Sequence, residues 1–289
     1  MNLDIESLRS WMTTLVVAAG TAATASCAMQ AVVAAPLLSA GTQYVALGSS
    51  FAAGAGIGPP QLGAPVRCQR TTNNYASLLA QRFKLQLTDA SCSGAKTTHL
   101  LGQWNELPAQ LDSVTDSTRL VTVTVGGNDL DYMGALFGGS CRAGVAFRPG
   151  PCAAVVRPSA AQYERLEAEL NSIAEEIARH APGARLVFVQ YVTVVPQTLC
   201  AVTAITPNDA AIGRTIGRRL AQITARVAAA NGALLLAADR ASRKHSPCAK
   251  EPWSHGFHAG YDAQQGAPWH PTPAGHAAIA EQLAALLTR

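Results

Sequence analysis

Short apolar runs alternate along this sequence with longer segments whose apolar residues recur at helical spacing. The run at residues 120–125 is rich in β-branched side chains, and a helical pattern follows it at 159–180. Other apolar runs occupy 44–47, 85–87, 184–189 and 233–237, and other helical patterns occupy 74–83 and 208–230. Strands that alternate with helices form a parallel sheet with helices on both faces. The sequence therefore predicts an α/β fold, a three-layer α/β/α sandwich with a central parallel sheet of about five strands.

The N-terminal segment is of a different kind. Residues 11–40 contain no charged side chain, Arg9 precedes them, and small residues end the stretch near position 35. That composition is typical of a cleaved export signal, although Asp4 and Glu6 are unusual for one. The stretch is also long enough to be a retained membrane anchor. We expect residues 1–36 to be an export signal or an N-terminal membrane anchor, and residues 37–289 to form one domain that is secreted or held at the cell envelope.

Charge and cysteine content exclude some functions. The net charge of +4 is spread without runs of Lys or Arg, so nothing indicates nucleic-acid binding. Six cysteines lie beyond the N-terminal segment, an even number that predicts disulfides in an exported chain and leaves their connectivity open. They are Cys68, Cys92, Cys141, Cys152, Cys200 and Cys248. No cysteine or histidine spacing resembles a zinc site, so we expect no metal.

The candidate nucleophile follows the first predicted strand. There the chain passes through Gly48, Ser49 and Ser50 into further small residues, a pattern that turns a strand sharply into a helix. A serine at a helix N-terminus lies beside backbone N–H groups without acceptors, and these stabilise a negative charge. Ser50 is the better candidate, and Ser49 is the turn residue. An ordinary Gly/Ser turn is the alternative.

Two further turns follow predicted strands. Gly94 lies among small residues after the strand at 85–87, and its backbone N–H is a candidate oxyanion donor. Asn128 follows Gly126 and Gly127 after the strand at 120–125, where a side-chain amide donor would point into the sheet's carboxyl edge. Plain glycine turns are the alternative for both. We expect Asp129 to brace the second turn.

The candidate base is His270, which lies between Trp269 and Pro271 on a loop before the last helical pattern. This position suits a side chain that reaches the sheet edge better than one in the core. We expect His276 to pack or cap within the helix start. His245, His255 and His258 are interpreted as solvated or structural.

In this order, the four pieces resemble the four blocks of the SGNH (GDSL-type) hydrolases. Ser50, Gly94, Asn128 and His270 correspond to the Ser, Gly, Asn and His of that family, and the resemblance covers residues 43 onward. It implies a flavodoxin-like sandwich. The cysteines are similar to those of the secreted actinobacterial lipase/esterase branch, whose three consecutive disulfides imply the pairs Cys68–Cys92, Cys141–Cys152 and Cys200–Cys248.

Two positions depart from the family pattern. Ser49 stands where the family has Asp before its nucleophile. Ala267 stands where many members have an Asp that orients the histidine, and some members of the branch use a backbone carbonyl there instead. We therefore predict that the Ala267 carbonyl accepts the Nδ1 proton of His270. Asp262 looping back is the alternative.

The resulting prediction is a secreted serine esterase/lipase that hydrolyses fatty acyl esters. It would use a Ser50–His270 dyad and an oxyanion hole formed by Ser50, Gly94 and Asn128, with no cofactor, as a monomer. Apolar residues expected to line an acyl groove are Phe51, Ile57, Leu136, Phe137, Phe147 and Trp253. The alternatives are an O-deacetylase of polysaccharide or cell-wall glycan, or a degenerate module that only binds glycans or lipids.

Overall fold

The computed structural model describes residues 38–147 and 149–288. The predicted export signal or anchor at 1–36 lies outside the described residues. Among the residues that are described, no helix combines the length and the apolar character needed to cross a membrane.

The central layer is one sheet in which every neighbouring pair of strands is parallel. Its strands are β1 (Gln43–Gly48), β2 (Gln86–Asp89), β3 (Leu120–Thr124), β4 (Arg185–Val189) and β5 (Leu234–Leu236), in the order β2–β1–β3–β4–β5. Strand β3 is buried throughout, as its continuous apolar and β-branched sequence requires. The predicted sheet is confirmed, and its strand ends differ from the prediction by one or two residues.

The helices flank this sheet in two groups. They are α1 (Ser50–Ala53), α2 (Tyr75–Phe83), α3 (Thr97–Leu101), α4 (Tyr132–Arg142), α5 (Ala160–His180), α6 (Pro207–Ala230), α7 (Ala238–Ala241) and α8 (Pro273–Leu287). Helix α2 packs against α8, whereas α3 and α6 both pack against α5. The chain runs from β1 to β2 in one direction along the sheet and then to β3, β4 and β5 in the other. Because crossovers between parallel strands are right-handed, this reversal places the two groups of helices on opposite faces of the sheet. The three-layer α/β/α sandwich is therefore confirmed.

Hydrogen-bonded caps fix the starts of the long helices. The Ser159 side chain accepts a bond from the Gln162 N–H at the start of α5, and the Gln162 side chain bonds back to the Ser159 N–H. This is a capping box, and it makes Ser159 the N-cap of α5. The side chains of Thr206 and Thr272 cap α6 and α8 by accepting the N–H of Asp209 and of Gly275, and each is followed by a proline that suits the first helical position.

The strand order places a crevice at one edge of the sheet. The connections from β1 and β3 leave in opposite directions, and in sheets of this order ligands bind outside the carboxyl ends of those two strands. Three disulfides link segments that follow the strands, namely Cys68–Cys92, Cys141–Cys152 and Cys200–Cys248, with Cys141 in the last turn of α4. These are the pairs that the family resemblance implies.

Candidate active site

Ser50 lies directly after β1, where the strand turns into the one-turn helix α1. The turn needs glycine at position 48, whose φ is 143° and where an added Cβ would stand 2.3 Å from the Thr124 carbonyl oxygen. The Gln110 side chain bonds both the N–H (2.7 Å) and the carbonyl (3.0 Å) of Gly48. Ser50 is 7% exposed. The fold thus presents its hydroxyl at the carboxyl edge of the sheet.

The imidazole of His270 meets this hydroxyl. Its Nε2 lies 2.8 Å from Ser50 Oγ, and its Nδ1 lies 2.8 Å from the carbonyl oxygen of Pro268. A carbonyl can only accept a hydrogen bond, so Nδ1 carries the proton and Nε2 presents its lone pair to the serine. Ser50 therefore donates to a base that is already in the tautomer needed to deprotonate it.

The carbonyl that orients His270 belongs to Pro268, so the predicted Ala267 carbonyl is wrong. Trp269 lies between Pro268 and His270 in the chain. Its left-handed φ of 59° turns the Pro268 carbonyl back toward the imidazole. Ala267 itself is held by its backbone N–H, which donates to the Ala55 carbonyl at 3.1 Å. The Asp262 carboxylate is also not the partner, because it accepts from the Gln264 N–H at 2.9 Å. Spacing alone could not reveal this turn, since tryptophan rarely adopts a positive φ.

Burial of Trp269 holds this unusual backbone in place. The Trp269 side chain is fully buried, and its Nε1 donates to Ser140 Oγ at 3.1 Å. The Phe51 ring lies 4.9 Å from the imidazole of His270, between centroids. A strained residue persists where its surroundings fix it, and here a buried indole and its hydrogen bond do so.

The environment of His270 keeps its imidazole neutral. Burial lowers the pKa of His270 to about 4, an effect that the bond to Pro268 opposes and that nearby His255 reinforces. No carboxylate bonds to the ring in the described residues. The imidazole is therefore unprotonated, and able to accept a proton, over the whole neutral range.

Asn128 and Gly94 lie on neighbouring turns that are bonded to each other. The Asn128 side-chain amide donates one hydrogen to the Ala95 carbonyl at 2.8 Å, which leaves its second hydrogen without an acceptor among the described residues. Gly94 adopts a left-handed φ of 85°. Within the same residues, neither the Gly94 N–H nor the Ser50 N–H donates a hydrogen bond. Three donors without acceptors thus lie on the turns after β1, β2 and β3.

Asp129 braces these turns. Its carboxylate accepts bonds from the N–H of Thr97 (3.1 Å) and from the hydroxyl of Thr97 (2.5 Å). Burial raises the pKa of Asp129, and the bonds from Thr97 oppose that rise. Asp129 therefore joins the turn after β3 to the start of α3, because both of its carboxylate oxygens accept hydrogen bonds from Thr97.

A groove of about 420 Å³ lies against the Cys141–Cys152 loop. Phe137, Phe147 and Phe257 line it, with Phe147 58% exposed at the rim. Tyr261 packs on Phe257 and donates its hydroxyl to the Gly266 carbonyl, so the groove is joined to the loop that carries His270. Of the other residues expected to line an acyl groove, Phe51, Ile57 and Leu136 are buried in the interior and Trp253 stacks on His245.

Sequence reasoning missed two residues that contact the site. His255 donates its backbone N–H to the His270 carbonyl at 2.8 Å, and its ring lies against Gly266. Tyr191 bonds Ser49 in the turn that carries Ser50 and Gly127 in the turn that carries Asn128. Its place two residues beyond β4, at the same sheet edge, is the signal that would have drawn attention to it. His276, by contrast, is buried in α8 and accepts the backbone N–H of Tyr75, which caps α2.

Comparisons with known proteins identify the family of the chain and support its fold. The family described as GDSL-like lipase/acylhydrolase matches residues 46–278. Lipase 2 of Streptomyces coelicolor is 38% identical over 124 residues, 43% of this chain and 42% of the relative. The lipase of Streptomyces rimosus is 29% identical over 78% of this chain and 80% of its own length. The crystal structure of the extracellular lipase from S. rimosus superposes with a TM-score of 0.67 at 24% identity, over 86% of this chain and 100% of that one.

Proposed function

The chain belongs to the GDSL-like lipase/acylhydrolase family and is an esterase or lipase, and from that premise we propose that Ser50 and His270 hydrolyse fatty acyl esters through a covalent acyl-serine intermediate. The observation that carries the proposal is the continuous chain from Pro268 carbonyl to His270 to Ser50 hydroxyl, with 2.8 Å at both links. A nucleophile bonded to an oriented base is the arrangement that serine acyl transfer requires.

In the acylation step, Ser50 Oγ attacks the ester carbonyl while Nε2 of His270 takes the hydroxyl proton. The resulting imidazolium keeps its Nδ1–H on the Pro268 carbonyl, which holds the ring in place as the charge forms. Nε2 then returns the proton to the departing alkoxide, so the alcohol leaves and the acyl group remains on Ser50.

Deacylation repeats these events with water. Nε2 of His270 takes a proton from the water, whose oxygen attacks the acyl carbonyl, and then protonates Ser50 Oγ as the carboxylic acid leaves. The dyad is restored without any group besides water. The same base serves both halves of the reaction because its Nδ1–H remains bonded to the Pro268 carbonyl throughout.

The oxyanion of both tetrahedral intermediates would be held by the Ser50 N–H, the Gly94 N–H and the Asn128 amide. Supporting this assignment, all three donors lie on turns at the same sheet edge and lack acceptors among the described residues. The bond from Asn128 to the Ala95 carbonyl fixes the direction of its remaining N–H. A donor fixed in advance stabilises developing charge without reorganisation during the reaction.

The aromatic groove favours long acyl chains. Its volume of about 420 Å³ falls in the range of small-molecule sites, and its phenyl rings offer apolar contact along a chain rather than hydrogen bonds to a sugar. An O-deacetylase of glycans would not need this groove. A module that only binds would not need the bond between Ser50 and His270, which is formed here.

Export is part of the proposal. The three disulfides need an oxidising compartment, and the composition of residues 11–40 is that of an export signal or anchor. We propose that the enzyme acts outside the cytoplasm as a monomer, either free or at the cell envelope, on small-molecule or lipid esters.

The decisive experiment measures kcat/KM of the oxidised protein on p-nitrophenyl acetate, butyrate, octanoate and palmitate. We expect kcat/KM to rise from acetate to octanoate, since each added methylene buried in the groove gains binding energy, roughly 0.8 kcal/mol at full burial. Ser50→Ala should lower kcat/KM by at least about 10⁴-fold.

Ser172→Ala, which removes an exposed hydroxyl on α5, is the matched control and should keep full activity. A maximum at acetate would favour the deacetylase instead. Turnover that survives Ser50→Ala would exclude the dyad, and a folded protein without turnover on any of these esters would favour the binding module.

A further inference from the structure

Tyr191 is a buried residue at the carboxyl edge of the sheet, next to the turns that carry Ser50 and Asn128. It follows β4 by two residues, is 6% exposed, and lies close to the turns after both β1 and β3. None of the catalytic steps above uses its phenol. Its hydroxyl and its ring nevertheless contact the turn that carries Ser50, the turn that carries Asn128, and Phe51 beside His270.

The hydroxyl of Tyr191 takes part in one directed chain of hydrogen bonds. Its oxygen accepts the backbone N–H of Gly127 at 3.2 Å and lies 2.8 Å from Ser49 Oγ. Ser49 Oγ in turn lies 3.5 Å from the Thr124 carbonyl, which only accepts. Ser49 therefore donates to Thr124, and the Tyr191 hydroxyl donates to Ser49. Burial raises the pKa of Tyr191, so the phenol keeps the proton that this direction requires.

The two groups bonded to this hydroxyl are the immediate neighbours of catalytic residues. Ser49 precedes the nucleophile Ser50, and Gly127 precedes Asn128. The approach to the second turn is close, because a Cβ on Gly127 would stand 2.8 Å from the Tyr191 ring. One hydroxyl thus sets the separation between the turn that carries the nucleophile and the turn that carries the oxyanion amide.

The ring of Tyr191 extends the connection to the base. It packs on Phe51 with 4.2 Å between centroids, and Phe51 packs on His270 at 4.9 Å. The same side chain therefore supports the nucleophile turn through its hydroxyl and the imidazole through its ring. Substituting Phe would remove the first support and keep the second.

Ser49 stands where the resembled family has Asp, and its surroundings here suit a hydroxyl. A carboxylate in its place would face the Thr124 carbonyl, to which it has no proton to donate. A serine can donate to that carbonyl while it accepts from Tyr191. The Ser49–Tyr191 pair therefore forms a neutral bridge that matches its surroundings.

We propose that Tyr191, through its bond to Ser49, is a positioning residue that holds Ser50 and Asn128 at the separation needed to attack an ester and to bind the oxyanion. The inference rests on the proposed function, because it assigns Tyr191 to that reaction. Displacements of about 1 Å within an active site cost up to about 10²-fold in rate.

The test compares Tyr191→Phe, Ser49→Ala and the double variant on p-nitrophenyl octanoate. We expect each single substitution to lower kcat by about 10- to 100-fold with KM within about twofold, because substrate binding does not depend on the bridge. The double variant should lose at most about threefold more than the worse single variant, since both substitutions remove the same bond.

Tyr44→Phe is the matched control. It removes another buried tyrosine hydroxyl, in β1, whose one hydrogen bond among the described residues is to Thr122 Oγ1 at 2.8 Å rather than to a catalytic turn. Tyr44→Phe should lower the melting temperature about as much as Tyr191→Phe while leaving kcat within about twofold of wild type. Equal losses of kcat in both variants would reduce the role of Tyr191 to general stability and overturn the inference.

Other outcomes separate this inference from the function on which it rests. If wild type hydrolyses the ester in a Ser50-dependent manner and Tyr191→Phe keeps its kcat, the inference is wrong and the proposed function stands. Independent, multiplying losses in the double variant would also overturn it. If Tyr191→Phe does not fold, Ser49→Ala decides, with retained kcat against the inference. A wild type without Ser50-dependent turnover contradicts the proposed function itself.

Discussion

The proposed nucleophile, Ser50, and the proposed base, His270, are held in position by different kinds of structure. Ser50 follows a buried strand directly, and the residue before it bonds to the neighbouring strand through Ser49 N–H to Thr124 carbonyl, at 2.9 Å. The polar groups around Gly48 are bonded to the Gln110 side chain. The position of the serine is therefore set by the sheet, in which each residue is fixed by regular bonds to its neighbours.

His270 lies on a loop and is held by contacts with distant parts of the chain. The indole of Trp269 is anchored on Ser140, the carbonyl of His270 accepts the N–H of His255, and Ala267 is bonded to Ala55. An added Cβ on Gly56 would approach Gly266 to 3.2 Å, so the histidine loop lies directly against the loop after α1. Several separate contacts therefore fix the position of His270, whereas the sheet alone fixes the position of Ser50.

This difference explains how the proposed dyad could work without a carboxylate. The ring of His270 is oriented by a backbone carbonyl whose direction depends on the turn at Trp269. A carbonyl carries only a partial charge, so it fixes the tautomer without raising the pKa of the imidazole as a full negative charge would. The Pro268 carbonyl therefore fixes the orientation of the His270 ring, and burial keeps the ring neutral.

After the loss of Ser50 itself, the largest effect is expected on the side of the site that the strands build. Asn128→Ala removes the proposed oxyanion amide and should lower kcat by about 10²- to 10³-fold. It also breaks the bond to the Ala95 carbonyl, which should lower the free energy of unfolding by only about 1 kcal/mol. Steady-state kinetics on the octanoyl ester and urea unfolding measure the two quantities.

The control for this variant is Asn171→Ala, which removes a similar amide–carbonyl bond, to Glu167 on α5, and also an exposed bond that Asn171 accepts from Asn231. It should change stability by a similar amount and leave kcat intact. Near-normal turnover in Asn128→Ala would remove Asn128 from the oxyanion hole.

A smaller effect, on the histidine side, is expected from pH. The base acts only when neutral, and the pKa of His270 is lowered to about 4, so kcat/KM should stay level down to about pH 5 and fall about tenfold per unit below pH 4. Stability should respond at higher pH. Burial lowers the pKa of His276 to about 3 as well, and both histidines take up protons near pH 6.5 only when the chain unfolds.

Because the unfolded chain then binds more protons, the free energy of unfolding should decrease as pH falls from about 6.5 towards 4, by up to about 1.4 kcal/mol per pH unit for each histidine. Activity per folded molecule should thus persist while stability declines. The check is kcat/KM at each pH alongside urea unfolding at the same pH. An acidic limb of kcat/KM at pH 6.5 or above would contradict the buried, carboxylate-free environment of the base.

The smallest effect is expected from Asp262→Asn. The side chain is exposed and accepts from the Gln264 N–H, a bond that asparagine can also form. Turnover should change less than about threefold and the free energy of unfolding by less than about 0.5 kcal/mol. Wild-type and variant rates on the octanoyl ester are sufficient to decide. A loss of several orders of magnitude with the fold intact would make Asp262 the residue that orients His270, and Pro268 would lose that role.

Much of the fold was predictable because local pattern and long-range packing favour the same structure. The β-branched run that becomes β3 and the capping box at Ser159 each specify an element by themselves. The order of four weak motifs identified the family. The orienting carbonyl was misplaced by one residue, because the prediction took its position from the family pattern, whereas the backbone with positive φ at Trp269 accompanies a bond from His270 to the Pro268 carbonyl. The roles of Phe51 and Leu136 were also misjudged, because apolar side chains suit a groove and a core equally well.

The sequence by itself determined the alternating strands and helices, the small residues that permit the turn at Ser50, and the types of side chain available for chemistry. These depend on interactions between residues close in the chain, which recur wherever the same pattern occurs. The tertiary structure alone decided which carbonyl orients His270, which phenol joins the two catalytic turns, and which aromatic rings form a groove. Those features depend on contacts between segments more than a hundred residues apart, such as Trp269 with Ser140 and Tyr191 with Ser49. Such contacts exist only once the sheet has brought its loops to one edge.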